Sequence, residues 1–178
     1  VHFQYATEKG KHSFLEKPIC VDPVGYRTIM ATAKQAAAKN LCVVTGTQRH
    51  HQRSYVESYK KIMEGLIGEI TGGTVYWNQN MLWYRDRQPG WNDCEYMIKD
   101  WVNWKWLSGD HIVEQHVHNI DVFTWFSGLK PVKAVGFGSR HRRITGDQYD
   151  NFSVDFTMEN GIHMHSICLL YTSDAADE

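Results

Sequence analysis

The sequence predicts an α/β protein in two parts: half of a doubly wound unit over residues 1–46, then a truncated α/β unit over residues 47–167 with an open, mostly antiparallel sheet. Three observations predict it. Asp22-Pro23 starts a helix that leads into the continuous apolar run "LCVV", the order of elements found in a doubly wound fold. Phe152, Val154, Phe156 and Met158 alternate along one strand face, and Asn160-Gly161 follows as a hairpin turn. Between these lies "SGDHIVEQHVHNIDVFTWFSG", whose apolar residues recur as they do on a buried helix.

Taken in order, "VHFQYATEKGK" is a short helix ending near Gly10, and "HSFLEK" is a brief strand. At Asp22-Pro23 the carboxylate caps free amides and proline suits the first turn. The helix then aligns Tyr26, Met30, Ala33 and Ala37 on one face and stops near Asn40. "LCVV" reads as a parallel strand covered on both faces. The character changes after Gly46. Ser54-Tyr55-Val56-Glu57 has the form of a capping box, opening a helix lined by Tyr55, Tyr59, Ile62, Met63 and Leu66 that ends at Gly65 or Gly68. "EITGGTVYWNQNMLWY" is β-rich, "PGW" is a turn, and "NDCEYMIKDWVNWKWLSG" is an aromatic helical insertion. The second hairpin strand runs to the end of the chain, so a cut sheet with an unsatisfied edge is expected there.

Composition narrows the function. The 178 residues are 42% apolar and 22% charged, with no run able to span a bilayer. A net charge of −1 argues against a nucleic-acid or acidic-membrane partner, and "RHRR" (residues 140–143) reads as a solvated loop. Cys20, Cys42 and Cys94 lack CxxC spacing, which fits reduced thiols. The tail "CLLYTSDAADE" (residues 168–178) is what a transposase adapter used in shotgun library preparation encodes in this frame, so adapter read-through is expected there. Removing its three acids leaves 17 acids against 19 bases. The chain opens on Val1, so the true N-terminus is expected upstream, and the compartment, cytoplasm or periplasm, depends on it.

The apolar helix carries an ionisable stripe. At about 100° per residue, Glu114, His118, Asp121 and Trp125 share one face. Such groups cost free energy inside a protein unless each is paired. One reading is a structural Glu114–His118 pair. A second makes His118 a general acid/base, oriented and kept basic by Glu114. A third uses Glu114, His116 and His118 as metal ligands, perhaps with His111, or with His163 and His165; it ranks low because His116 and His118 point about 200° apart on a helix. Trp104 and Trp106, with Trp91, Tyr96 and Trp101, form either an aromatic wall for a sugar or core and interface packing.

Glu16-Lys17-Pro18 at a strand end, followed later by "EGLIGEI" and the Asp110-to-Asp121 stripe, resembles the glucose–fructose oxidoreductase, inositol dehydrogenase and rhizopine-catabolism family (Gfo/Idh/MocA). The resemblance implies that residues 1–46 are the second half of a Rossmann dinucleotide-binding domain, with its glycine-rich loop upstream of Val1. It implies NAD or NADP as cofactor, with Glu16, Lys17 and Pro18 beside it and Pro18 shaping the backbone, often through a cis bond. Lys17 resembles the active-site lysine and His118 the acid/base histidine. Glu114 stands where the family often has Asp, either as a substrate ligand or as the residue orienting His118. Asp110 and His116 stand where small residues are usual, which marks a divergent subgroup, and Arg49 falls in a region that reaches the substrate. The implied reaction is hydride transfer between nicotinamide and a secondary alcohol of a sugar, cyclitol or related polyol, in a sheet-mediated homo-oligomer. A chain lacking its first βαβ unit is expected to be inactive by itself. The alternative is a non-catalytic or metal-assisted sugar-binding relative.

Overall fold

A computed structural model describes residues 1–170. Helix α1 (His2–Glu8) leads to strand β1 (Ser13–Glu16), helix α2 (Pro23–Ala38) and strand β2 (Val43–Gly46). β1 and β2 pair in parallel, Ser13 opposite Val43 and Glu16 opposite Gly46. The Asp22 carboxylate caps α2 by accepting from Gly25 N at 2.6 Å, and Asn40, at φ 54°, turns the chain out of it.

Two expectations for this unit are corrected. The inward face of α2 is Thr32 and Ala36, while Tyr26 and Met30 are exposed. Hydroxyls can face inward here because Thr28 and Thr32 each donate to the carbonyl one turn back, at 3.0 and 2.8 Å. The small sheet is also open on one side: Phe14 and Val44, side by side in its register, are both exposed. No described element covers them.

Past Gly46 a 3₁₀ turn (Gln48–His51) enters α3 (Arg53–Met63). The capping box does not form. α3 begins two residues early, with Gln52 at the cap; Ser54 Oγ accepts from the Gln52 side chain and Glu57 pairs with Lys60. Strand β3 (Gly72–Gln79) follows, then α4 (Asp93–Lys99), capped by Asn92, and α5 (Lys105–Ser108). Gly109, at φ 76°, ends α5 with its α-carbon facing Val21 so closely that a Cβ would lie 3.2 Å from the Val21 Cα. The two units therefore touch at this point.

The apolar helix is not continuous. It divides into α6 (His111–Glu114) and α7 (Val117–Ser127), with Gln115 at φ −108°, ψ −54° between them. Behind α7, strands β4 (Pro131–Ser139), β5 (Asn151–Met158) and β6 (His163–Leu170) join β3 in the order β3-β6-β5-β4. The β4–β5 and β5–β6 pairings are antiparallel and β3–β6 is parallel. β6 is thus an interior strand paired on both sides, which moves the open edges to β3 and β4. Cys168, Leu169 and Leu170, the first residues of the expected adapter tail, continue β6; residues 171–178 lie outside the described residues. The hairpin turn uses Gly161 at φ 89°, with Met158 N donating to Ile162 O at 2.8 Å.

The core lies between α7 and the sheet. Phe123 packs with Met158 and Met164, flanked by Val75, Ile120 and Phe156, each fully buried side chain contributing about 1.5–3 kcal/mol. Gly73 makes this possible: a Cβ there would meet Phe123 Cε2 at 2.6 Å. Nor is "RHRR" simply a solvated loop, since Arg143 is buried and donates to Asn103 Oδ1 at 2.8 Å and Tyr149 O at 3.2 Å. The four cysteines are free thiols, and no described helix is long and apolar enough to cross a membrane.

Candidate functional site at the junction of the two units

β1 delivers Lys17 to the point where the first unit meets α6. The Lys17–Pro18 peptide is cis. Lys17 Nζ lies 2.6 Å from Glu114 Oε1 and also donates to the Glu114 carbonyl. This ion pair is mostly out of water, the side chains being 19% and 8% exposed, so each charge depends on the other. The expected Glu114–His118 pairing is replaced: the break at Gln115 turns the α6 carboxylate toward Lys17.

His118 opens α7's first turn, buried to 5%, with its ring stacked on Trp77 at 5.9 Å. Burial lowers its pKa, the positive charges of Lys17 and Arg49 lower it further, and Glu114 and Asp121 act against this. His118 is therefore held neutral near pH 7, where the sequence led us to expect Glu114 to keep it basic. A neutral imidazole is the form that accepts a proton.

Every other member of the stripe has a partner. Asp121 Oδ2 meets His50 Nε2 at 2.8 Å, and Trp125 lies between His50 and Tyr59, at ring separations of 4.1 and 4.8 Å. The two carboxylates of the stripe are thus paired outside it, Glu114 with Lys17 and Asp121 with His50. His116 points the other way. It is fully buried, and burial, His111 and Arg49 push its pKa down to about 4.

Arg49, from the 3₁₀ turn, lies between two rings, 5.2 Å from Tyr55 and 5.5 Å from Trp77. With Trp77 it lines a cleft of about 370 Å³ completed by Tyr76, Asn78, Gln79, Gln115 and Asn119. Glu16 and Pro18 instead line a second cleft, about 380 Å³, with Phe14 and Ile29 on the first unit. Lys17, Glu114, His118 and Arg49 are thus brought together, while Trp104 and Trp106 line neither cleft. Trp104 packs edge-on against Tyr96, and Trp106 is exposed. Among the described residues no group of three or more His, Cys, Asp or Glu could hold a metal ion.

Sequence reasoning missed His50, Trp77, Gln115 and Asn119. His50 was findable, since it follows the end of a parallel strand, where ligand sites collect. Trp77 carried no signal, because an indole in a strand reads as core.

Comparison with known proteins places the fold. A family model described as the GFO/IDH/MocA C-terminal domain matches residues 55–176, more than half the chain. No curated protein matches it. Among solved structures, a Thermotoga maritima protein superposes with a TM-score of 0.78 at 19% identity, over 98% of this chain and 49% of that one. A myo-inositol 2-dehydrogenase from Lactobacillus plantarum gives 0.73 at 22% identity, over 96% and 47%. An aldose-aldose oxidoreductase from Caulobacter crescentus, complexed with glycerol, gives 0.73 at 16% identity, over 97% and 47%. The chain spans about half the length of these structures, and the likeness is one of fold. With the family model covering α3 through β6, the chain belongs to the Gfo/Idh/MocA family.

Proposed function

We propose that the intact protein is an NAD(P)-dependent oxidoreductase acting on a secondary alcohol of a sugar, cyclitol or related polyol. The observation that carries this reading is the convergence of Lys17 from the end of β1 with Glu114 and His118 from α6 and α7. A lysine at the end of a parallel strand suits the nicotinamide end of a dinucleotide, because ligands of doubly wound sheets bind at the carboxyl ends of the strands. Glu16, Lys17 and Pro18 are the residues of this chain that would flank it. NAD or NADP, when bound, supplies the hydride acceptor.

The chain's own residues do the rest. His118, neutral near pH 7, takes the proton from the substrate's hydroxyl oxygen. Lys17 Nζ donates to that same oxygen and steadies the negative charge that grows on it. Glu114 holds Lys17 Nζ in place through their ion pair. Burial of His118 against the Trp77 ring limits water in the proton's path. In the reverse direction His118 returns the proton. Trp104 and Trp106 are assigned to an outer aromatic rim for substrate. The sheet face carrying the exposed apolar residues Tyr76, Val135, Phe137 and Leu169 is assigned to homo-oligomer contact.

The test is His118→Ala and Lys17→Met in the intact protein, assayed for reduction of NAD⁺ and NADP⁺. Loss of an acid/base group lowers turnover by about 10²–10⁴-fold. Cofactor affinity should be largely kept in His118→Ala. Near-normal turnover in that variant would refute the assignment.

A further inference from the structure

One cation at the cleft has no carboxylate partner among the described residues. Lys17 is paired with Glu114, and Asp121 Oδ2 meets His50 Nε2, which leaves Arg49. The Arg49 side chain makes no hydrogen bond or ion pair among the described residues; its guanidinium meets the faces of Tyr55 and Trp77. Two rings hold the planar group still while leaving its donors uncommitted. No carboxylate lines the cleft. Besides Tyr76 and Trp77, its other residues are the neutral amides Asn78, Gln79, Gln115 and Asn119. Gln79 Oε1 accepts from Trp77 Nε1 at 2.8 Å, which leaves the Gln79 amide nitrogen as a donor, and Gln115 donates to Glu114, which leaves its carbonyl as an acceptor. At about 370 Å³ the cleft is of the size that takes a small polar molecule.

We propose that this cleft selects an acidic sugar, one carrying a carboxylate or a phosphate, and that Arg49 reads the anionic group while the amides read hydroxyls. A fixed, planar guanidinium suits a bidentate pair with either anion. The proposal rests on the reading of this cleft as the substrate site. It adds a consequence for His118. Among the charged groups around it, Lys17 and Arg49 lower its pKa while Glu114 and Asp121 raise it. An anion seated on Arg49 offsets one of the lowering charges, so an acidic sugar raises the His118 pKa and a neutral one does not.

The experiment is calorimetric titration of the intact protein at low salt, without cofactor, using two matched sets: glucose, glucuronate and glucose 6-phosphate, then galactose, galacturonate and galactose 6-phosphate. In at least one set an acidic member is expected to bind ten-fold or more tightly than the neutral sugar. Which member prevails identifies the anion. Added sodium chloride should narrow the gap, Arg49→Gln should abolish it, and Arg49→Lys should keep part of it. Equal affinities, no binding of any acidic sugar, or a preference that survives in Arg49→Gln would each overturn the proposal. A parallel assay of NAD⁺ and NADP⁺ reduction separates the two readings. Preference for the anion with no reduction refutes the oxidoreductase and leaves Arg49's role standing; reduction without that preference does the reverse.

Discussion

His116 and His118 flank a single valine, yet burial gives them opposite parts. His118 meets the junction of the two units, close to Lys17, whereas His116 is fully buried, with neither ring nitrogen hydrogen-bonded among the described residues. A histidine with a pKa near 4 in the fold and about 6.5 unfolded is neutral in both states above pH 6.5. Below that the unfolded chain binds the proton first, so stability falls as pH drops from 6.5 toward 4, by on the order of 3 kcal/mol if His116 acts alone. Urea denaturation at pH 7 and pH 4.5 should show this loss. It should shrink in His116→Gln, though not vanish, since His118 is shifted in the same direction. An undiminished loss in the variant would place the sensitivity elsewhere. Asp110 is the other residue that departs from expectation. It takes φ 72° and ψ 165°, a conformation glycine favours, and its buried carboxylate holds the turn by accepting from His111 N at 2.7 Å and Tyr149 N at 3.1 Å. A glycine would take that backbone readily; here the carboxylate's bonds offset the strain.

At the scale of elements, the break at Gln115 does the most for the site. An unbroken helix would stack Glu114 over His118; the break gives the carboxylate to Lys17 and leaves the imidazole to Trp77. Helical periodicity found the stripe but not the break, because no glycine or proline near Gln115 marks one. The same limit explains the missing capping box. Ser54 and Glu57 have the right spacing, but α3 enters from the 3₁₀ turn already in helical conformation at Arg53. Strand pairing was more legible, since the alternation of Val154 and Met158 with polar neighbours survives any tertiary context. What it could not supply was strand order, because the parallel β3–β6 contact joins segments far apart in sequence. The packing of α7 on β3 makes a specific claim about Gly73. Gly73→Ala should destabilise the protein by about 1–3 kcal/mol, because the new Cβ must displace the buried Phe123 ring. An unchanged midpoint in thermal denaturation would mean that α7 rides higher on the sheet than described here.

Across the whole molecule, function is assigned to the seam between units. Lys17 belongs to the parallel sheet, Glu114 and His118 to the helices covering the mixed sheet, and Arg49 to the turn that connects them. None of these groups is within 30 residues of all the others in the chain, so their meeting is a property of the fold; Lys17 and Glu114 alone are separated by 97 positions. Each residue type could be singled out from its local motif, yet which carboxylate would serve which base could not, since that depends on how two units dock. The central claim is that His118, neutral through burial and the charges of Lys17 and Arg49, accepts the substrate's proton. The most direct measurement is kcat/KM against pH for oxidation of a sugar or polyol by the intact protein, in wild type and in His118→Ala with and without added imidazole. The account predicts a wild-type rate that falls on the acid side with a midpoint below 6.5, and a variant that lacks this fall and regains rate with imidazole. The same acid limb persisting in His118→Ala, with no response to imidazole, would contradict it.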